Sequence, residues 1–201
     1  MRLRLLVSAV VLLAPALPAQ VALSAAARRL AERNTGRYDD TFKRYSKRYF
    51  GPGFDWRYFK AQGMAESGLD PNARSWVGAR GVMQLMPTTF QMIQSRRPEF
   101  ASIDDAEWNI AAGIMHDRYL WKLWTSAISE RERPAFMFAS YNAGEGTINR
   151  ARAAAQAQAN DATEWSHIEQ VAPTVPRWRY RETLGYVRKI GHYYDRLRNP
   201  R

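Results

Sequence analysis

The sequence of 201 residues contains no cysteine. This absence excludes disulfide bonds, thiolate metal ligands, cysteine nucleophiles and the acylated cysteine of a lipoprotein anchor. Histidine is also scarce, and the three that occur, His116, His167 and His192, do not stand at the spacing of zinc ligands. We therefore predict a protein with no metal site and no other cofactor.

Two common catalytic motifs are missing as well. No phosphate-binding Gly-Lys loop occurs, and no Gly-x-Ser-x-Gly elbow of an α/β-hydrolase occurs. Long hydrophobic runs are confined to the N-terminus, where residues 5–13 are apolar and follow Arg2 and Arg4. The small residues that come next, up to Ala19, complete the pattern of a secretory signal. We predict a signal peptide over residues 1–19, with cleavage after Ala19 or near Ala25.

The alternative interpretation of the N-terminus is an uncleaved anchor, but its apolar run is short for a membrane span. We therefore expect a periplasmic or secreted protein without a stable membrane anchor. The Ala- and Arg-rich residues 20–36 are predicted to be a flexible lead-in, and residues 37–201 a single domain of ordinary size.

Acidic residues are few: 19 Asp and Glu stand against 30 Lys and Arg, which gives a formal net charge of +11. Such an excess favours an anionic partner. An exported protein rarely meets nucleic acid, so we expect no nucleic-acid binding and consider the acidic polymer of the cell wall instead. The basic residues are spread over several segments, and a solvated basic surface explains them equally well.

Strands are not indicated, because no convincing alternation of apolar and polar residues occurs. Helical periodicity is frequent, and we predict an all-α fold with irregular, mostly short helices. Asp55 is predicted to cap the second helix, and Asp104 with Glu107 has the spacing of a capping box. The predicted helices cover about 37–50, 55–67, 87–97, 104–123, 132–141, 145–158 and 181–197, with a loop at 141–144 and mixed structure at 160–179.

Glu66 is the most informative residue. It shares a helix face with Trp56, Phe59 and Gly63, which precede it at spacings of three, four and three residues. A glutamate on a buried face should have a raised pKa, because desolvation penalises its charged form, and a carboxyl that stays protonated near neutral pH is a general acid. The alternative is a structural glutamate paired with one of the many arginines.

The segment after Glu66 favours the catalytic interpretation. Gly78 and Gly81 allow a close approach of the main chain to a ligand. Gln84 supplies a neutral amide for sugar groups, and Ser75 could orient a hydroxyl or a carbonyl. Other carboxyls near the motif look structural: Asp70 precedes a proline in a turn, while Asp104 and Glu107 have the spacing of a helix cap.

The same residues carry a family resemblance. Glu66-Ser67, Asn72-Ala73-x-Ser75 and residues 78–87, which read GARGVMQLMP, are similar to the signature of family 1 lytic transglycosylases, the Slt-type lysozyme-like domain. Later blocks agree in order: Asn109-Ile110 with Gly113 and Tyr119-Leu120, then Ser140 to Gly144, then Glu182-Thr183 with Tyr186-Val187. The segment 37–61 also resembles the catalytic module of the membrane-bound F-type enzymes.

The resemblance implies a lysozyme-like helical domain without cofactor that acts on peptidoglycan glycan strands. It implies cleavage of the β-1,4 bond from N-acetylmuramic acid to N-acetylglucosamine, with formation of a 1,6-anhydro end. Glu66 takes the place of the single catalytic acid and base. The positions that match substrate-binding residues are Ser75, Met83, Gln84, Tyr141, Asn142 and Tyr186.

Two other functions remain open at this point. A hydrolytic muramidase of the goose type would share the fold but would need a second carboxylate to position water. A wall-binding scaffold without activity would not need Glu66, Ser75, Gln84 and Tyr186 together. A partner in the envelope machinery is compatible with the sequence, which does not identify it.

Overall fold

All regular secondary structure between residues 36 and 200, the part of the chain described by the computed structural model, is helical. This confirms the predicted all-α fold class. In that part, two isolated β-bridges pair Arg80 with Arg74 and with Leu85. The α-helices are α1 (Asp39–Phe50), α2 (Arg57–Ser67), α3 (Pro87–Arg96), α4 (Ala106–Trp124), α5 (Arg133–Ala143), α6 (Glu145–Ala157), α7 (Trp165–Val171) and α8 (Tyr180–Arg198).

Helix α2 presents the buried face that its spacing predicts. Phe59 is fully buried and Gly63 is buried, while Trp56 packs partly exposed at the start. The cap position is Trp56 and not Asp55 as predicted, although Oδ1 of Asp55 accepts a hydrogen bond from the main-chain nitrogen of Arg57 at 3.0 Å. The helix therefore enters the core with Glu66 in its last turn.

The capping box predicted at Asp104 is wrong by one residue. The cap of α4 is Asp105, whose carboxylate accepts from the main-chain nitrogens of Glu107 at 2.8 Å and Trp108 at 3.0 Å. Asp104 instead pairs with Arg74 and Arg80 at 3.2 and 3.3 Å. Asp104 and Asp105 are equally suited to cap a helix. Because the arginines of the preceding loop pair with Asp104, Asp105 is the residue that caps α4.

The loop predicted at residues 141–144 is also corrected. Tyr141 and Asn142 lie in the last turn of α5, which extends to Ala143 and ends where Gly144 adopts a φ of 81°. Residues 160–179 contain one more helix than expected, α7. Its apolar residues Trp165, Ile168 and Val171 are buried at a spacing of three, and Pro173 follows the helix.

Two apolar clusters fill the interior, and α5 and α8 contribute to both. The first surrounds α2 and includes Phe42, Phe59, Val82, Ile110, Met137, Tyr186 and Ile190. The second includes Trp124, Phe136, Ile148, Ile168 and Leu184. Helix α8 packs along α2 in the first cluster, which brings residues near position 186 to the end of α2 that carries Glu66.

The predicted signal segment 1–19 and the predicted lead-in as far as residue 35 lie outside the described residues. Between residues 36 and 200, no helix combines the length and hydropathy that crossing a membrane requires.

Candidate active site

Glu66 lies at the end of α2, where the chain turns away from the core. The helix ends at Gly68, whose φ of 66° lies in the left-handed region that glycine adopts easily. The main-chain nitrogen of Gly68 donates to Met64 and that of Leu69 donates to Gly63. This turn leaves the Glu66 side chain largely enclosed by protein but not sealed from solvent.

Tyr186 of α8 is the direct partner of this carboxyl. Its hydroxyl donates to Oε1 of Glu66 at 2.5 Å, and the tyrosine is 8% exposed. The structure thus brings together two residues that stand 120 positions apart in the chain. Lys189, one turn further along α8, donates to the carbonyl of Ala65 at 2.8 Å. Sequence reasoning did not single out this lysine.

Burial raises the pKa of Glu66 to about 7, against the lowering effects of the Tyr186 hydrogen bond and the charge of Lys189. Desolvation dominates because the enclosed site stabilises the ionised form poorly. A carboxyl with this pKa is present in both protonation states near neutral pH, so it can donate a proton in one step and accept one in the next. The ion-pair alternative receives no support, because Lys189 bonds the main chain and no salt bridge to Glu66 occurs between residues 36 and 200.

Ser75 and Gln84 hold the loop that follows α2. The Ser75 hydroxyl accepts from the main-chain nitrogen of Ala79 at 2.9 Å, which closes a tight turn at the loop tip. The Gln84 amide donates to the carbonyls of Ala73 at 3.1 Å and Gly81 at 3.0 Å. Gln84 itself has a φ of 44°, unusual for a residue with a side chain. Both side chains therefore shape the loop and remain partly exposed.

Asn109 of α4 fastens this loop to the helical core. Its amide nitrogen donates to the carbonyls of Arg80 and Ile103, each at 2.9 Å, and its oxygen accepts from the main-chain nitrogen of Met83 at 2.8 Å. A side chain at Gly81, where φ is 74°, would collide with this amide, because an added Cβ would lie 2.5 Å from it. Asn109 belongs to the second family motif, and in the structure it anchors the loop to α4.

The burial of Met83 does not favour its expected role as a substrate-binding residue. Its side chain is fully buried and packs on Gly113, where an added Cβ would approach within 2.8 Å. Met83 instead offers its carbonyl, which accepts from the Tyr141 hydroxyl at 2.8 Å. Met83 therefore has a supporting role, because its side chain is enclosed between the loop and α4.

Tyr141 and Asn142 approach the site from the end of α5. The pKa of Tyr141 lies well above its usual range, first because of burial and then because of the carboxyls of Asp117 and Glu66. Asn142 is exposed, and its oxygen accepts from Thr183 at 2.8 Å, while Thr183 accepts from Trp178 at 3.0 Å. The structure thus joins α5 to the start of α8, the helix of Tyr186.

Asp117 is the carboxyl that sequence reasoning missed. It lies on α4, is fully buried, and its pKa is raised well above the usual range by burial and by the charge of Glu66. Its sequence signal is the series Ile110, Gly113, Ile114 and Asp117, at successive spacings of three, one and three residues, which places an acid on a buried helix face. Between residues 36 and 200, no cluster of three or more histidine or acidic side chains could hold a metal ion.

Comparison with known proteins agrees with this geometry. The family model described as the Transglycosylase SLT domain matches residues 40–163. Two similar proteins are named membrane-bound lytic murein transglycosylase F. The one from Shewanella woodyi is 32% identical over 174 residues, which cover 79% of this chain and 35% of that protein. The one from Marinobacter nauticus is 33% identical over 177 residues, which cover 83% and 34%.

Solved structures point the same way. The 70-kDa soluble lytic transglycosylase of Escherichia coli superposes with a TM-score of 0.61 at 27% identity, covering 80% of this chain and 24% of that one. A complex of the 70-kDa soluble enzyme with bulgecin A gives 0.64 at 28% identity, covering 86% and 26%. This chain spans about a third of the length of the curated relatives that it matches. The Slt-type and F-type resemblances are confirmed, and the chain belongs to the Transglycosylase SLT domain family.

Proposed function

We propose that this chain is a peptidoglycan lytic transglycosylase that cleaves the β-1,4 bond between N-acetylmuramic acid and N-acetylglucosamine. The observation that carries the proposal is Glu66, a carboxyl with a pKa of about 7 held at 2.5 Å by the Tyr186 hydroxyl. Such a group serves as acid and as base at the same pH. The similar proteins bear the name of this activity, and the family membership supports it.

The reaction needs two proton transfers through Glu66. In the first, protonated Glu66 gives its proton to the glycosidic oxygen, the bond from C1 of the muramic residue to that oxygen breaks, and the glucosamine side leaves as an alcohol. In the second, the carboxylate takes the proton of the C6 hydroxyl while that oxygen bonds to C1. The 1,6-anhydro ring closes, Glu66 is protonated again, and no water is consumed.

Tyr186 holds one oxygen of the carboxyl and leaves the other for these transfers. Because its hydroxyl donates to Oε1, we assign the proton transfers to Oε2. The hydrogen bond favours the ionised form of Glu66 and therefore helps the first transfer, in which the carboxyl loses its proton. Tyr186 is thereby a residue that sets the orientation and the acidity of the acid.

A hydrolytic reaction would need a second carboxylate that holds a water molecule on the sugar. Asp117 is the carboxyl whose pKa responds to the charge of Glu66, but it is fully buried and has no access to the solvent side of the site. Its pKa is also raised well above the usual range, which opposes a role as a base. This favours attack by the sugar's own C6 hydroxyl over attack by water.

For substrate binding, we propose that Ser75, Gln84, Tyr141 and Asn142 line the groove beside Glu66. All four are at least partly exposed, and their hydrogen bonds hold the loop after α2 and the end of α5 in fixed positions. A preorganised lining of this kind lowers the entropy lost when a glycan strand is ordered in the site. Met83 is assigned the supporting role described above.

We also propose that residues 1–19 are removed on export and that the remaining chain acts in the periplasm or outside the cell. The charged start and the apolar run 5–13 support this. The intact mass of protein recovered from the envelope fraction tests it: we expect a start near Gln20, whereas full-length protein held in the membrane would contradict export with cleavage.

The activity is tested by digesting purified peptidoglycan and weighing the soluble products. We expect muramic ends lighter by one water than those made by a muramidase. Muramic ends that can be reduced by borohydride would favour the goose-type hydrolase, and binding without release of soluble fragments would favour a wall-binding scaffold. Because the similar 70-kDa enzyme forms a complex with bulgecin A, we expect this compound to slow the release.

A further inference from the structure

Two fully buried polar side chains lie one helical turn behind the candidate acid. Gln62 stands on α2, four residues before Glu66, and Asp117 stands opposite on α4. Both are 0% exposed. Residues four apart on a helix lie on the same face. A contact that fixes the position of Gln62 therefore also restrains the helical turn that carries Glu66.

One hydrogen bond joins the two side chains, and two of their oxygens are left over. The Gln62 amide nitrogen donates to Oδ1 of Asp117 at 3.3 Å. Within the described part of the chain, Oε1 of Gln62 and Oδ2 of Asp117 have no hydrogen-bond partner. Both are acceptors if Asp117 is ionised, and two acceptors cannot bond each other. An ionised Asp117 would thus be a buried charge with a single neutral donor.

A proton on Asp117 removes this conflict. The O–H of a carboxylic acid donates, so Oδ2–H can bond Oε1 of Gln62 while Oδ1 accepts from its amide nitrogen. The surroundings favour the same state: Glu66 of α2, Tyr141 of α5 and Tyr186 of α8 act electrostatically on Asp117 or are acted on by it. Burial and the charge of Glu66 raise the pKa of Asp117, and none of these three groups is a cation.

We propose that Asp117 is a positioning residue that stays neutral, pairs with Gln62 through two hydrogen bonds, and fixes the last turn of α2 so that Glu66 faces Tyr186. It does not touch the substrate. The effect on turnover rests on the role proposed for Glu66, whereas the existence of the pair does not.

The neutral state of Asp117 has a consequence for the two proton transfers proposed for Glu66. When Glu66 is ionised between them, its negative charge holds the proton on Asp117 more firmly, because two neighbouring carboxylates repel each other. The proton on Asp117 is therefore not available to the reaction. Of the two carboxyls Glu66 and Asp117, only Glu66 changes its protonation state during the reaction.

Two substitutions of Asp117 separate this role from simple core packing. Asp117→Asn keeps the shape, one donor and one acceptor, so it should rescue the pair: melting temperature, kcat and the pH dependence of kcat should match the parent. Asp117→Leu keeps the branched outline of the side chain, with somewhat larger methyl groups in place of the oxygens, but orphans the Gln62 amide. We expect it to lower the melting temperature by about 2 to 12 °C. In the folded fraction kcat should fall while KM is unchanged, since only the position of Glu66 is affected.

The outcomes that overturn the proposal are specific. If Asp117 is ionised in the parent, Asp117→Asn removes a negative charge beside Glu66, and the pH profile moves down by about one unit or more. If Asn destabilises the protein as much as Leu, the two hydrogen bonds are absent. If Leu is tolerated with the parental kcat, Asp117 positions nothing.

The protonation of Asp117 can also be read without any variant, which covers the case in which Asp117→Leu does not fold. In protein labelled with ¹³C at aspartate carboxyls, the Asp117 resonance should keep the shift of a protonated acid from pH 5 to pH 8, and titration within that range would refute the neutral pair. Should the parent prove inactive on peptidoglycan, the proposed function fails, while melting and NMR still decide whether the pair exists.

Discussion

Replacing Glu66 by glutamine tests the proposed acid and base while changing the structure very little. The amide keeps the size of the side chain, and its oxygen can still accept the Tyr186 hydroxyl that now bonds Oε1 at 2.5 Å. It cannot exchange a proton. General acid-base catalysis is typically worth about 10² to 10⁴-fold in rate. Because both transfers use this one group, we expect a loss of kcat toward the upper end of that range.

The stability of the same variant should move in the opposite direction. The pKa of Glu66 is raised from its ordinary 4.5 to about 7, so the folded state binds more protons than the unfolded state between these values. Stability therefore falls as the pH rises through this window and reaches its lowest value above pH 7. The shift corresponds to about 3 kcal/mol above pH 7, and Glu66→Gln should recover about 1 to 3 kcal/mol of it.

The measurement is melting temperature and turnover on one preparation, at pH 5 and at pH 8. For a domain of this size, about 1 kcal/mol corresponds to about 2 to 4 °C. We expect Glu66→Gln to melt above the parent at pH 8, to approach it at pH 5, and to bind glycan fragments at both. Glu130→Gln, a change of a side chain that is 88% exposed and belongs to none of the family motifs, is the matched control and should alter neither quantity.

Two results would contradict these expectations for Glu66→Gln. A well-folded Glu66→Gln variant with parental turnover would remove Glu66 from the chemistry. A variant that melts well below the parent at pH 8, with activity that tracks the folded fraction, would mean that the carboxylate is a structural partner in an ion pair.

Three further perturbations follow from the site. Tyr186→Phe removes a hydrogen bond that lowers the pKa of Glu66, so kcat should fall about 10- to 100-fold and its pH profile should move to higher pH. Tyr193→Phe on the same helix is the control. If the pH profile of Tyr186→Phe equals that of the parent, Tyr186 has only a packing role. Asn109→Ala removes the contacts that hold the loop at Met83, so the melting temperature should fall by about 4 °C or more, and an unchanged value would mean that the loop is held by other contacts. The parent's own activity should change most between pH 6 and 8, where Glu66 titrates, and a flat profile there would contradict the raised pKa.

The sequence predicted the local elements of the site well, because these depend on short-range periodicity. The face shared by Phe59, Gly63 and Glu66 could be read from spacing alone, and the structure buries Phe59 and Gly63 as expected. The choice between Asp104 and Asp105 as a helix cap could not, because it depends on ion pairs with Arg74 and Arg80 across a loop.

What the sequence did not predict depends on contacts between distant segments. Met83 was expected to bind substrate, but the close approach of Gly113 buries its side chain against α4. Asp117 was missed because its role depends on its interactions with Gln62 and Glu66, which lie on another helix. The family motifs identify candidate site residues, whereas tertiary packing determines which of these side chains reach the groove.

In the proposed reaction the sugar's C6 hydroxyl, and not water, attacks C1 of the muramic residue. Digestion of peptidoglycan in water enriched in ¹⁸O tests this most directly, since the label reports the origin of the oxygen on C1. We predict anhydro products that carry no ¹⁸O. Muramic ends that carry one ¹⁸O at C1 would show that water attacks there and would contradict the account.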